Sequence, residues 1–179
     1  MSSSEQHSEK TFRLVAENTT DLISLHALDA QDVLADIAEL YEHMVEEAGG
    51  TLTFSASPDL PVTADRQLLA QALGNLIDNA LKYGASADGT VAVALTGAQE
   101  GGHVVLAVAD HGPGIPEADR ERVVERFVRL DESRSKPGSG LGLSLVASVM
   151  KLHGGELRLE DNGPGLRAKL LLPLRPKTE

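Results

Sequence analysis

Between Asp65 and Tyr83 this chain carries its strongest helical pattern. Leu68, Leu69, Ala72, Leu76, Ile77, Ala80 and Leu81 recur at three- and four-residue intervals and make one broad apolar face. Asp65 is placed to cap the first turn and Gly84 to stop the last. A face that wide must be covered, and the flanking segments supply the cover. A second helical pattern runs from Asp29 to Ala48 through Val33, Ile37, Leu40, Tyr41, Met44 and Val45, and ends at Gly49-Gly50. Strand patterns follow at Thr51 to Ala56, around Val62, and as two β-rich runs, Thr90 to Thr96 and His103 to Asp110, joined by a Gly-containing turn. Glu117 to Phe127 reads as a short charged helix and Leu141 to His153 as an apolar one. Glu156 to Glu160 and Arg167 to Pro173 read as a last hairpin around Asp161-Asn162-Gly163-Pro164-Gly165. There is no internal repeat. Helices interspersed with strands in this order predict an α/β two-layer sandwich.

Composition narrows the chemistry. Hydrophobic residues make up 41% of the 179 residues but aromatics only 3%, so Leu, Val, Ile and Ala must build the core. The formal net charge of −11 argues against general nucleic-acid or membrane-surface binding. An anionic nucleotide would have to be met by backbone amides, a cation and a few placed Lys or Arg side chains. The absence of cysteine excludes disulfides, thiolate metal sites and Cys nucleophiles. No apolar run approaches the ~18 residues of a membrane span, and the polar start, MSSSEQHSEK, lacks a signal-peptide core. A soluble, cytoplasmic domain is expected.

Four segments carry chemistry. In Asn75-Leu-Ile-Asp-Asn79-Ala-Leu-Lys82-Tyr83, two carboxamides lie a turn apart on one helix face. They read either as a hydrogen-bonded polar edge or as a site where Asn79 offers its carbonyl oxygen to Mg²⁺. Asp110-His-Gly112-Pro-Gly114-Ile115-Pro116 follows the most hydrophobic strand. It reads as a turn, or as a carboxylate that accepts from an exocyclic amine while glycines let backbone approach a flat ring. Arg126-Phe127-Val-Arg129-Leu130 resembles any amphipathic helix end, or an aromatic anchor with an Arg directed at phosphate. Gly138-Ser139-Gly140-Leu141-Gly142-Leu143 runs straight into an apolar helix, the arrangement of an anion site at a helix N-terminus. It is neither a Walker A loop nor a dinucleotide fingerprint, because no Gly-Lys-Ser/Thr follows and the glycine spacing is wrong.

Taken in order, these segments resemble the Asn-box, first Gly-box, Phe-box and second Gly-box of sensor histidine kinase catalytic domains. That family belongs to the group that includes DNA gyrase, the heat-shock-90 chaperones and the MutL repair proteins. His153-Gly154-Gly155-Glu156 and the closing strands are similar to the family's C-terminal end. The resemblance covers roughly residues 29–175, with 1–28 as a leader or the remnant of a preceding helix or sensor segment and 176–179 as a tail. It implies a Bergerat fold, a mixed sheet of about five strands packed on three helices, and the ligands ATP and Mg²⁺. It implies Asn79 on Mg²⁺, Asn75 beside the phosphates, Lys82 on phosphate, and Tyr83 against the nucleotide. Asp110 would hold the adenine amine in a pocket shaped by Gly112, Gly114 and Ile115. Phe127 and Arg129 would serve a lid, with Arg129 on the terminal phosphate and Asp131 to Gly138 ordered by nucleotide. Gly138, Ser139, Gly140, Leu141, Gly142 and Leu143 would cradle the phosphates.

ATP-hydrolysing branches of the group resemble one another in carrying a Glu base where this chain has Asn75. An amide cannot take a proton from water, so phosphoryl transfer to an external acceptor is expected over hydrolysis. None of His7, His26, His43, His103, His111 and His153 has the acidic and Arg/Lys-Thr-Pro flank of the family's phosphoacceptor. The expected enzyme is therefore a protein histidine kinase catalytic domain that cannot autophosphorylate without a phosphoacceptor module. Its partner would be a histidine-bearing dimerisation domain, in cis or in trans, and a response regulator through that domain, with no nucleic acid and no membrane insertion. Residues 11–28 are read as a helix tail of the missing module or the opening of a PAS sensor domain. A free-standing serine kinase of the anti-sigma-factor type and a nucleotide-binding pseudokinase module are the alternatives. Lys82-Tyr83 and His153-Gly154-Gly155 favour the histidine kinases over the first, and four intact boxes disfavour the second.

Overall fold

A computed structural model describes residues 23–125 and 142–176. Strand β1 (His26–Asp29) leads into α1 (Ala30–Glu47), followed by β2 (Thr51–Ala56) and β3 (Pro61–Ala64). Helix α2 (Arg66–Tyr83) precedes the hairpin of β4 (Ala92–Glu100) and β5 (His103–Ala109). A 3-10 turn at Glu117–Asp119 and the short α3 (Arg120–Val123) come next, then α4 (Gly142–Leu152) and the hairpin of β6 (Glu156–Asp161) and β7 (Leu166–Pro173).

Five strands form a mixed sheet in the order β2-β4-β5-β7-β6, with β2 parallel to β4 and every other pair antiparallel. Register places the apolar residues in rows. Leu95 of β4 faces Val108 of β5, which faces Ala168 of β7, which faces Leu159 of β6. The adjoining row runs Gly97, Leu106, Leu170 and Leu157. These side chains share one face because strand side chains alternate with a period of two, and that face joins the helices in one buried cluster. β5 is buried from Val104 to Ala109, as a central strand read as a continuous apolar run should be. Gly97 admits α1, since a Cβ there would lie 2.9 Å from Leu60 Cδ1 and would also overlap the Leu34 side chain. A two-layer α/β sandwich with five strands results, as the sequence implied.

Both long helices begin at aspartates. Asp29 Oδ1 accepts from the N–H of Gln31 at 2.9 Å and from that of Leu60 at 3.0 Å. Asp65 Oδ1 accepts from the N–H groups of Gln67 at 3.0 Å and Leu68 at 3.1 Å. Each therefore satisfies amides that a helix start leaves without intrahelical partners.

Three segments differ from expectation. His26–Asp29 is a strand, paired antiparallel with β3 as a separate two-stranded sheet, and not the end of a helix. The pairing partner lies far along the chain, so helical periodicity could not register it. The Glu117–Phe127 helix shrinks to a 3-10 turn and one short α-turn, with Val123 its buried residue. β4 extends to Glu100, because its pairing with β5 carries on past Thr96 to the Glu100↔His103 pair.

Leu106 is fully buried in the central strand. Leu106→Ala is expected to lower unfolding free energy in urea by about 2–5 kcal/mol, through lost transfer energy and the cavity left behind.

Candidate functional site

Asp110 stands one residue past the end of β5 and is only 7% exposed. Its Oδ1 accepts from the backbone N–H of Gly112 at 3.0 Å and of Leu166 at 3.1 Å. Its own N–H donates to the Leu166 carbonyl at 3.0 Å, and its carbonyl accepts from Asn162 Nδ2 at 2.7 Å. The carboxylate is thus held by the chain on both sides, with one oxygen committed. Among the described residues both of these side-chain bonds fall on Oδ1 and none on Oδ2.

Glycines set how closely the chain wraps it. A Cβ at Gly84 would lie 2.7 Å from Asp110 Cβ, and one at Gly112 would lie 2.7 Å from the Tyr83 carbonyl oxygen. Gly165, at φ +109°, has no room for a Cβ against the Asp110 carbonyl. Gly114, at φ +71°, would push one to 2.8 Å from the Gly165 carbonyl. The C-terminus of α2, the loop after β5 and the β6–β7 turn therefore converge on one aspartate. Ile115 continues the loop half-buried, and its carbonyl accepts from Arg120 Nε at 3.1 Å.

The second half of the site lies along α2. Asn75 and Asn79 are half-buried, one turn apart. A Cβ on Gly142, the first residue of α4, would lie 3.4 Å from both Oδ1 and Nδ2 of Asn79. The N-terminus of α4 thus lies beside the Asn79 carboxamide, with room for no more than a Cβ between them. Lys82 is exposed, whereas Tyr83 and Leu143 are half-buried. Of the expected site residues, the structure gathers Tyr83, Asp110, Gly112 and Gly114 at one end and Asn79 and Gly142 at the other. Phe127, Arg129, Gly138, Ser139, Gly140 and Leu141, with the lid stretch Asp131 to Gly138, lie outside the described residues.

Sequence reading missed Gly84, Asn162 and Gly165 as site residues. Asn162 and Gly165 were visible only as hairpin-turn chemistry, and nothing local says that their turn folds onto Asp110.

Electrostatically, Asp78 stands apart from its neighbours on α2. Burial raises its carboxyl above the usual range, and nearby Lys82 lowers it by less. Tyr41 of α1, whose hydroxyl packs on Gly74, is itself raised by burial and then by Asp78. Among the described residues no group of three or more His, Cys, Asp or Glu could hold a metal, and no helix is long and apolar enough to cross a membrane.

Comparison with known proteins gives the family and the fold. Residues 64–176 match the family model described as histidine kinase-, DNA gyrase B-, and HSP90-like ATPase. The signal transduction histidine-protein kinase/phosphatase MprB of Mycobacterium sp. (strain KMS) is 48% identical over 122 residues, covering 65% of this chain and 23% of that protein. The chain thus spans under a quarter of that relative's length. A solved structure of the mycobacterial sensor histidine kinase MprB is 32% identical with a TM-score of 0.71, covering 86% of this chain and all of that one. Full-length ShkA in complex with AMPPNP is 30% identical with a TM-score of 0.82, covering 98% of this chain and 36% of that one. The chain belongs to the histidine kinase-, DNA gyrase B- and HSP90-like ATPase family.

Gly165→Ala is expected to destabilise the fold by about 2 kcal/mol or more, since it combines a forbidden φ with backbone overlap. Gly142→Ala, with ordinary contact distances and a better helix former, should stay within about 1 kcal/mol of wild type. Thermal unfolding of both variants decides. Asp78 has a folded pKa above its unfolded one, so its stabilising contribution is full below the unfolded value and lost as pH rises through the folded one. Asp78→Asn should therefore raise the thermal midpoint at pH 7 and leave it little changed near pH 3.

Proposed function

We propose that this chain is the ATP-binding catalytic unit of a sensor histidine kinase. The observation that carries the reading is Asp110, a buried carboxylate with one oxygen tied to two backbone amides. Its other oxygen would accept from the adenine N6 amine, and Gly112 and Gly114 leave room for backbone to lie against the ring. Guanine presents an acceptor, O6, at the same place and is rejected by the charge. Ile115 and Tyr83 flank the base.

The phosphates would lie toward the N-terminus of α4, cradled by Gly138, Ser139, Gly140, Leu141, Gly142 and Leu143. Lys82 and, from the lid, Arg129 would add positive charge, with Phe127 as the lid's anchor. Mg²⁺ fits the donor set, because the Asn79 carbonyl oxygen is a hard ligand beside the phosphate end. When bound, the ion neutralises phosphate charge. Asn75, an amide, supports the phosphate region without activating water, so the γ-phosphoryl group passes to a positioned acceptor. That acceptor is a histidine on a dimerisation module outside these residues, in the same protein or another, from which a response regulator takes the phosphoryl group. The work is done in the cytoplasm, where ATP is available.

Calorimetric titration with ATP and Mg²⁺ tests this. In Asp110→Asn the amide oxygen can still accept from Gly112 and Leu166, which turns the NH₂ toward the adenine amine, donor against donor. ATP affinity is expected to fall about 10- to 100-fold while the protein stays folded. Equal ATP affinity in the two proteins, or none in the folded wild type, would refute the reading.

A further inference from the structure

His153, at the end of α4, is only 8% exposed, as is Asp65 at the start of α2. The backbone N–H of Asp65 donates to His153 Nε2 at 3.0 Å, across 88 residues of sequence. A ring nitrogen that accepts carries no proton, so the proton sits on Nδ1, which donates to the Val149 carbonyl at 2.7 Å. The ring thereby joins the last turn of α4 to the first residue of the α2 cap. Asp65 is itself fixed, through Oδ1 to Gln67 and Leu68 and through Oδ2 to the N–H of Ser24 at 3.0 Å.

The two helices run antiparallel, because the far end of α4, Gly142, meets Asn79 near the end of α2. α4 has 11 residues. Sliding it by one residue moves every amide about 1.5 Å along its axis, enough to spoil a set of N–H groups aimed at phosphate oxygens. Apolar packing between α2 and α4 resists separation, but the hydrophobic term is non-directional and ties no single residue of one helix to a single residue of the other. The hydrogen bond at Nε2 is directional and sits at the end away from the nucleotide.

We propose that His153 is a positioning residue for the phosphate end of the site, acting as a strap that fixes the axial register of α4 against α2. The proposal rests on the nucleotide-binding reading above for its effect on ATP, but not for the strap itself. Asp110 is held by Gly112, Leu166 and Asn162, none of them on α4, so a slide of α4 leaves the adenine end in place.

Two substitutions separate the two ring nitrogens. His153→Gln reaches as far as Nε2 and keeps an acceptor for Asp65, whereas His153→Asn reaches only as far as Nδ1. In His153→Asn, Mg-ATP affinity is expected to fall roughly tenfold while adenosine affinity stays within about twofold, and His153→Gln should keep both near wild type. Without nucleotide, amide exchange at residues 146–149 should quicken in His153→Asn and not in His153→Gln. Equal losses for ATP and adenosine, or a Gln variant as impaired as the Asn variant, would overturn the strap. Ring nitrogen shifts in the wild-type protein add a check that needs no variant: the Nδ1-protonated tautomer is expected, and an Nε2-protonated ring overturns it. A wild type that binds neither adenosine nor ATP would refute the proposed function, and the exchange and tautomer results would then decide the strap alone.

Discussion

Everything in the site depends on three backbone segments packed around Asp110 with no room for side chains. The end of α2, the loop after β5 and the β6–β7 turn each bring a glycine there, and each glycine sits closer to its neighbour than a Cβ allows. The aspartate answers with hydrogen bonds to all but the first of them. Its backbone and Oδ1 pair with Leu166, Gly112 and Asn162. A carboxylate held this way has little conformational freedom left to lose when it receives a ligand, which is the advantage of preorganisation.

Helix α2 ties this cluster to the rest of the molecule. Its C-terminus packs on Asp110, its N-terminus is capped by Asp65, and its apolar face closes the core against the sheet and α4. Asn79, at the edge of that apolar face, carries polar chemistry to the start of α4 at Gly142. Asp78, a quarter-turn away, sits near Tyr41 at the expense of its own charged form. One helix therefore serves as core element, as a wall of the Asp110 cluster and as the partner on which α4 packs.

The framework was legible in the sequence for physical reasons. α2 and β5 show a helical stripe and a continuous apolar run, both of which are local patterns. Asp110-His-Gly112-Pro-Gly114 and the Asn75/Asn79 pair showed themselves by spacing, and the order of the motifs identified the family before the fold was seen. Less visible was whatever depends on contacts between distant parts of the chain. β1 pairs with β3 across 35 or so residues and looked like a helix end. Gly165 and Asn162 looked like hairpin chemistry, and His153 like an ordinary helix end.

Sequence alone thus determined the long helices, the central strands and their buried faces, and the chemical types of the residues in the four motifs. These follow from periodicity, capping and functional-group chemistry, all of which act over a few residues. The tertiary structure decided which turn closes over Asp110, that Gly142 meets Asn79, and that His153 accepts from Asp65. Each of those is a contact between segments whose separation in sequence carries no local trace, so only the folded chain could reveal it.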